Sequence, residues 1–372
     1  MGDRRLRVLV LYGGRSAEHD VSCVTAVAVA AALDPMKYEV VPVAITTDGE
    51  WLLAGDAQRA IAAGADALPG AFAVEGDPVV APTDPVRPEL RRRAADGTIA
   101  HPLDVDVVFP LLHGPYGEDG TVQGLLELAG LPYVGSGVLG SAVGMDKIMM
   151  KRAFAACGLP TPSFHTLRDG HDPARLADDV ERTFGYPCFV KPANMGSSIG
   201  VSKADDRESL VRASHLALEF DEWVLAEEAV VGREIEVAVL GDDPPETSLP
   251  GEIVPGADFY DYADKYEDGR AQLLAPAPLD ADDTANVRAL AARAFEACRC
   301  EAMARVDFFF EQGRRGFLVN ELNTIPGFTP ISMYPRLWEV SGVPYSALLD
   351  RLIALAQQRH ARRAARAGRQ RS

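Results

Sequence analysis

Residues 303–333 read MARVDFFFEQGRRGFLVNELNTIPGFTPISM. Two apolar runs flank a polar turn at 312–315, which predicts a β-hairpin buried on at least one face. Four polar side chains interrupt those runs: Arg305, Asp307, Glu321 and Asn323. Residues two apart share a strand face, so Arg305 pairs with Asp307 and Glu321 with Asn323. A buried charge needs a partner or a metal. Two carboxylates and an amide oxygen make a hard, all-oxygen set that suits Mg²⁺ with phosphates and waters completing its shell. A solvated strand face carrying an ion pair fits the same pattern equally well, because alternating strands often look like this.

Upstream, Leu6 to Tyr12 is a near-continuous apolar run, as in a central parallel strand. Gly13-Gly14 follows, then a small-residue helix through about Ala32. Strand, glycine turn and helix open a nucleotide-type fold, but the G-x-G-x-x-G fingerprint is absent, which disfavours a dinucleotide. Glu18 at the helix start is accounted for by the helix dipole alone. Tyr38–Ile45 and Val105–Pro110 read as further buried strands. The segment 53–100, rich in Ala, Gly, Pro and Asp, predicts a short helix and a surface excursion without chemistry. The sequence 111–120, LLHGPYGEDG, is a tight loop at a strand end, where ligands bind in parallel sheets. It carries His113.

Asp146-Lys147 opens an amphipathic helix, with Lys147 set against the helix dipole and so suited to an anion. Lys191 ends an apolar strand and needs a negative partner. The small Gly/Ser loop 193–201 after it lies between strands, and its backbone N–H groups can cover phosphates. Glu227 ends another apolar strand, either as a ligand to ribose or amine or as a solvated strand-end acid. The segment 259–269, FYDYADKYEDG, is too polar for core and too aromatic for a linker, which predicts an ordered loop that closes over a ligand.

The chain has 372 residues, 47% hydrophobic and 24% charged, and a formal net charge of −17. That length suits two or three domains, and the charge disfavours a general nucleic-acid partner. The six arginines from Arg359 onward predict a frayed, solvated tail. No signal peptide and no apolar stretch of membrane-spanning length is visible. Five scattered cysteines fit reduced thiols and a cytoplasmic location.

A lysine strand, a Gly/Ser loop, an acidic strand end and a two-strand carboxylate and asparagine set occur in this order, and together they resemble the ATP-grasp fold. Within it the chain is similar to the D-alanine–D-alanine ligase family. The resemblance rests on GGRSAEHDVS (13–22), LLHGPYGEDGTVQGLLELAGLPYVGSGV (111–138), MDK (145–147), VKPANMGSSIGVSK (190–203), VGREIEVAVLG (231–241), FYDYADKY (259–266), RVD (305–307) and NELNTIPGFTPISMYP (320–335). It covers nearly the whole chain apart from 53–100 and the Arg-rich tail.

The resemblance implies an α/β fold, α+β in parts, with three domains. These are a Rossmann-like parallel-sheet domain (1–144), a small central ATP-grasp domain (145–230) and a C-terminal domain with an antiparallel sheet (231–358). The tail at 359–372 would be disordered. It also implies ATP-dependent joining of two D-alanines through a D-alanyl phosphate, for peptidoglycan precursors, by a homodimer. Lys147, Lys191 and the loop Gly196, Ser197 and Ser198 would hold the ATP phosphates, with Lys265 reaching the γ-phosphate from the lid. Glu227, Glu234 and the backbone near Ala229 and Val230 would hold adenosine. Asp307, Glu321 and Asn323 would carry two Mg²⁺ per site, with Mn²⁺ as an alternative ion. Glu18 and Ser197, linked through Tyr266, would orient the first D-alanine, beside His113. Arg305 and the backbone at Gly327 would meet the oxyanion, and Ser332 and Met333 the second carboxylate. Tyr266 favours a D-alanine over a D-lactate acceptor. Glu228 departs from members that carry Lys there. A ligase for another carboxylate and amine, or for a D-hydroxy acid, is the competing expectation.

Overall fold

The computed structural model describes residues 4–86, 89–93, 98–254, 272–329 and 331–366. The predicted lid therefore lies outside the described residues, and Lys265 and Tyr266 with it. Among the described residues three sheets carry the fold, with seven, four and six strands.

The first sheet is ordered β6-β5-β4-β3-β2-β1-β7. Its strands are β1 (Leu6–Gly13), β2 (Tyr38–Ile45), β3 (Trp51–Leu53), β4 (Asp77–Val80), β5 (Leu90–Arg93), β6 (Ile99–Leu103) and β7 (Val107–Pro110). Strand β1 pairs in parallel with β2 on one side and β7 on the other. The apolar run of β1 is explained by burial on both faces. Val8, Val10 and Tyr12 pack with helix α1 (His19–Ala32), while Leu9 and Leu11 pack with helix α3 (Thr121–Leu128). The segment expected to be a surface excursion contains a helix, α2 (Gly55–Ala63), but it also adds four antiparallel strands to this sheet. Those strands are short and rich in Pro and Arg, so they lack the alternation that marks a strand.

Helix α4 (Val138–Met145) leads to α5 (Lys147–Ala156), which starts where Asp146 accepts from the Ile148 and Met149 N–H groups. The second sheet is antiparallel, ordered β10-β9-β11-β8, from β8 (Phe164–Arg168), β9 (Cys188–Pro192), β10 (Ser202–Ala204) and β11 (Trp223–Glu228). Helices α6 (Pro173–Thr183) and α7 (Arg207–Leu218) bury their apolar faces on it.

The third sheet is built from β12 (Arg233–Gly241), β13 (Glu246–Thr247), β14 (Gly251–Val254), β15 (Gln272–Leu274), β16 (Ala302–Glu311) and β17 (Gly316–Asn323), all antiparallel. Its main path is β15-β14-β12-β16-β17. Helix α8 (Ala281–Ala297) covers one face. Helices α9 (Met333–Val340) and α10 (Tyr345–Ala364) join its other face to the core of the first sheet.

The hairpin predicted within 303–333 is β16 and β17, with one irregularity. Asp307 faces Glu321, but Phe308 faces Val319, so Asn320 is an extra, bulged residue. The bulge changes the parity of β17. It lets Phe317, Val319 and Leu322 all join the core of Phe308 and Phe310, while Glu321 and Asn323 stay beside Asp307 and Arg305.

The Arg-rich segment corrects the expectation of a frayed tail. Helix α10 runs through Ala364, and Arg359 is buried within it. Its guanidinium donates to the carbonyls of Gly135 and Tyr133 and lies 4.3 Å over the Tyr133 ring. Arg363 pairs with Glu127 and Glu301.

Candidate active site

In a parallel sheet a ligand crevice opens where neighbouring connections leave in opposite directions. Here that point is β1, between β2 and β7, and one loop leaves the carboxyl end of β1 and another that of β7. They are tied by Ser16, whose hydroxyl donates to the His113 carbonyl at 2.6 Å. Glu18 sits in this crevice, 8% exposed. Ser197, from the Gly/Ser loop after β9, donates its hydroxyl to Glu18 Oε1. Gly114 and Gly196 make the approach possible, because a Cβ at either would fall 2.6 or 2.7 Å from Glu18 Oε2. Ser197 and Ser198 both have positive φ, +48° and +59°. Left-handed backbone in two successive non-glycine residues costs about 1–3 kcal/mol each and gathers where a site needs it.

Glu118 was not singled out from the sequence. Its carboxylate accepts from Gly114 N–H at 2.7 Å and Ile325 N–H at 3.1 Å, joining the 111–120 loop to the segment after β17. Burial and the neighbouring Glu18 push it up to about 8, against those two N–H groups and Arg305. His113 is buried nearby, and burial lowers its pKa against Glu18 and an Ile325 backbone contact.

Lys191, Glu227, Lys151 and Lys147 come together at the second sheet. Lys191 Nζ donates to Glu227 Oε1 at 2.8 Å, and Lys151 pairs with the other oxygen, Oε2. Burial alone would raise the Glu227 pKa, but the two ammonium groups outweigh it and hold it at about 2. Lys147 Nζ donates to the Met195 carbonyl at 2.6 Å, at the start of the Gly/Ser loop. Burial lowers the Lys147 pKa. Burial also works against Lys191, but Glu227, Glu321 and Glu234 outweigh it and raise that lysine. The loop is braced from behind by Asn194, whose backbone and side-chain nitrogens donate to Asp221 at 2.7 and 3.0 Å. Ala229 N–H is bonded to the Pro187 carbonyl, so only its carbonyl remains as an offer to a ligand. Val230 is half-buried beside it.

On the third sheet Glu236, Asp307 and Glu321 lie opposite one another across β12, β16 and β17. Arg305 clasps Asp307 with two bonds of 2.8 and 2.7 Å and reaches Glu236 at 3.2 Å. Its Nη1 takes part in none of these contacts. Asn323 donates its amide nitrogen to Asp307 Oδ2 at 3.0 Å, which leaves its amide oxygen as an acceptor on the other side. Among the described residues no group of three or more His, Cys, Asp and Glu is arranged to hold a metal. The donor set is two carboxylates and one amide. That fits Mg²⁺, which takes few protein ligands and fills its shell with phosphate and water.

At the end of the site, Thr329 N–H donates to Ser332 Oγ at 3.1 Å, and a Cβ at Gly327 would lie 2.8 Å from that oxygen. Ser332 is the N-cap position of α9, so helix N–H groups open beside it, with Met333 buried behind.

Of the residues singled out from the sequence, the structure brings Ser197 against Glu18, Lys191 against Glu227, Lys147 against the Gly/Ser loop, and Arg305 and Asn323 against Asp307, with Glu321 opposite Asp307 and Ser332 at the start of α9. Lys151, Glu118, Glu236 and the Asn194–Asp221 brace lie among them and were not singled out from the sequence. Lys151 had a usable signal, since it follows Lys147 by four residues and so shares its helix face.

A Gly/Ser loop with lysines on one antiparallel sheet, facing a carboxylate and arginine strand set on another, defines an ATP-grasp ligase. A family model described as D-ala D-ala ligase N-terminus matches residues 7–136, and one described as D-ala D-ala ligase C-terminus matches 153–354. A D-alanine–D-alanine ligase of Kineococcus radiotolerans is 51% identical, covering 95% of this chain and 97% of its own length. That of Geobacillus thermodenitrificans is 46% identical, covering 96% of each. Among solved structures, the D-alanine–D-alanine ligase of Coxiella burnetii superposes with TM-score 0.82 at 34% identity, covering 97% of this chain and 96% of its own. The VanG D-Ala:D-Ser ligase of Enterococcus faecalis gives TM-score 0.82 at 33% identity, covering 95% of this chain and 100% of its own. The chain belongs to the D-alanine–D-alanine ligase family.

Proposed function

We propose that this protein joins two D-alanines into D-alanyl-D-alanine at the expense of ATP, supplying a dipeptide for peptidoglycan precursors. Beside the family membership, the contact between Ser197 and Glu18 carries the reading. It brings the phosphate loop against a carboxylate suited to an amino-acid ammonium group.

Lys147, Lys191 and the loop Gly196, Ser197 and Ser198 hold the phosphates. Glu234, Glu227 and the backbone at Ala229 and Val230 hold adenosine. Glu18 and Ser197 orient the ammonium of the first D-alanine, with His113 behind Glu18 and Tyr266 completing the set. Its carboxylate oxygen attacks the γ-phosphorus, the bond to ADP breaks, and an acyl phosphate forms. Asp307, Glu321 and Asn323 hold Mg²⁺, two ions per site, with Mn²⁺ able to substitute. When bound, the metal neutralises phosphate charge and polarises the transferred group. The second D-alanine docks its carboxylate at Ser332 and Met333. Its neutral amine attacks the acyl carbon, Arg305 Nη1 and the Gly327 N–H meet the oxyanion, and phosphate leaves with the former carboxylate oxygen and takes up the proton that the amine sheds. The 259–269 lid, with Lys265 at the γ-phosphate, excludes water from the acyl phosphate. No covalent enzyme nucleophile is required.

The protein works as a cytoplasmic homodimer with domains at 1–144, 145–230 and 231–358. ATP as co-substrate supports that location. No helix among the described residues is long and apolar enough to cross a membrane.

ADP release by the purified protein with Mg²⁺ and ATP, with and without D-alanine, tests this reading. D-alanine-dependent release with a D-alanyl-D-alanine mass is expected. Release only with D-serine or D-lactate as acceptor would keep the chemistry and replace the substrate. No release with any acid would contradict the enzyme reading.

A further inference from the structure

Lys151 is a charge in the protein interior for which the reaction above has no use. Its side chain is 1% exposed. The ammonium has three protons and meets three acceptors on three different elements. These are Glu227 Oε2 on β11, the Asn320 carbonyl on β17 at 3.2 Å, and Thr161 Oγ1 ahead of β8 at 3.4 Å. Thr161 in turn donates to the Val319 carbonyl at 3.0 Å. Asn320 is the bulged residue, one position before Glu321. The contact therefore links the nucleotide side of the cleft to the strand that carries the metal residue.

We infer that Lys151 is a positioning residue for phosphoryl transfer, fixing Glu227 against the Asn320 bulge so that Lys191 keeps its charge for the nucleotide. This rests on the nucleotide reading given above. One carboxylate facing one lysine is a closed, neutral pair. With Lys151 as a second partner Glu227 is shared rather than closed on Lys191, on which Glu321 and Glu234 also act, and Lys191 is the more exposed of the two lysines, 14% against 1%. Removing Lys151 lets Glu227 close on Lys191 alone and withdraws that charge from the phosphates. A merely structural ion pair behaves differently. Replacing such a pair with apolar groups is often neutral, and any loss falls on stability without regard to substrate.

The test compares the parent with Lys151→Met, which keeps the apolar stem, and with Lys151→Gln, which keeps hydrogen-bond donors without charge. Three quantities are read: the Kd for ADP by calorimetry without D-alanine, the KM for ATP, and the KM for D-alanine. The ADP Kd and the ATP KM are expected to rise on the order of 10–100-fold, as for outer residues that orient direct ligands. The KM for D-alanine is expected to stay within about twofold. If Lys151→Met does not fold, the same shifts are expected of Lys151→Gln. A folded variant of either kind with parental ADP affinity overturns the inference. So does a loss that falls equally on ATP and D-alanine. A parent that itself binds no ADP contradicts the nucleotide reading instead, and is told apart because the parent shows it.

Discussion

The Ser197 hydroxyl donates to Glu18, a residue 179 positions away in the chain, and so closes the Gly/Ser loop onto the start of helix α1. The closeness depends on glycine at 196. Gly196→Ala places a Cβ 2.7 Å from Glu18 Oε2, too near for any real contact, and one of the two must move. The KM for D-alanine is expected to rise about tenfold or more, since small displacements at a reacting centre are costly. Steady-state kinetics at saturating ATP checks this, and a parental D-alanine KM contradicts it.

Glu321→Gln keeps the size of the side chain and removes its charge from the Asp307 neighbourhood. Loss of about 3 kcal/mol of charge stabilisation corresponds to a turnover on the order of 100-fold lower. The thermal unfolding midpoint is expected to stay near that of the parent. Near-parental turnover across a Mg²⁺ titration sinks the metal assignment.

The pairing of Glu227 with two lysines has a pH signature. Its folded pKa of about 2 lies below the ordinary carboxylate value of 4.5, so its contribution to stability is present above about 4.5 and is lost as pH falls toward 2. Glu227→Gln is expected to flatten that part of the acid limb. Urea midpoints between pH 5 and pH 3 measure it, and parallel curves for parent and variant contradict it.

Arg359→Ala leaves the buried carbonyls of Gly135 and Tyr133 without a donor. It should destabilise the fold by about 2–4 kcal/mol. Chemical denaturation reads this directly, and a change under about 0.5 kcal/mol, as at an ordinary surface position, contradicts it.

Tyr266→Phe is expected to raise the use of D-lactate relative to D-alanine as acceptor. Competition between the two, read by product mass at several pH values, decides it. An unchanged ratio refutes the specificity role.

The parallel strand β1 and the β16–β17 hairpin were legible because burial on one or two faces writes itself as apolar runs of known period. The bulge at Asn320 was not, since one extra residue leaves no mark in composition. Lys151 was passed over because a lysine on an amphipathic helix ordinarily reads as solvated, and its partners Glu227 and Asn320 are distant in sequence. Arg359 was misread for the same reason. Six arginines look like a tail until carbonyls more than 200 positions away give one of them a buried place. The short strands between 51 and 103 were hidden by Pro and Arg, which interrupt alternation on strands only three to five residues long.

The most direct measurement uses D-alanine labelled with ¹⁸O in its carboxylate, together with Mg²⁺ and ATP. If the carboxylate attacks the γ-phosphorus, one labelled oxygen ends in inorganic phosphate, in step with dipeptide formed. Unlabelled phosphate released alongside ADP would mean that water attacked ATP and that the acyl phosphate route is wrong.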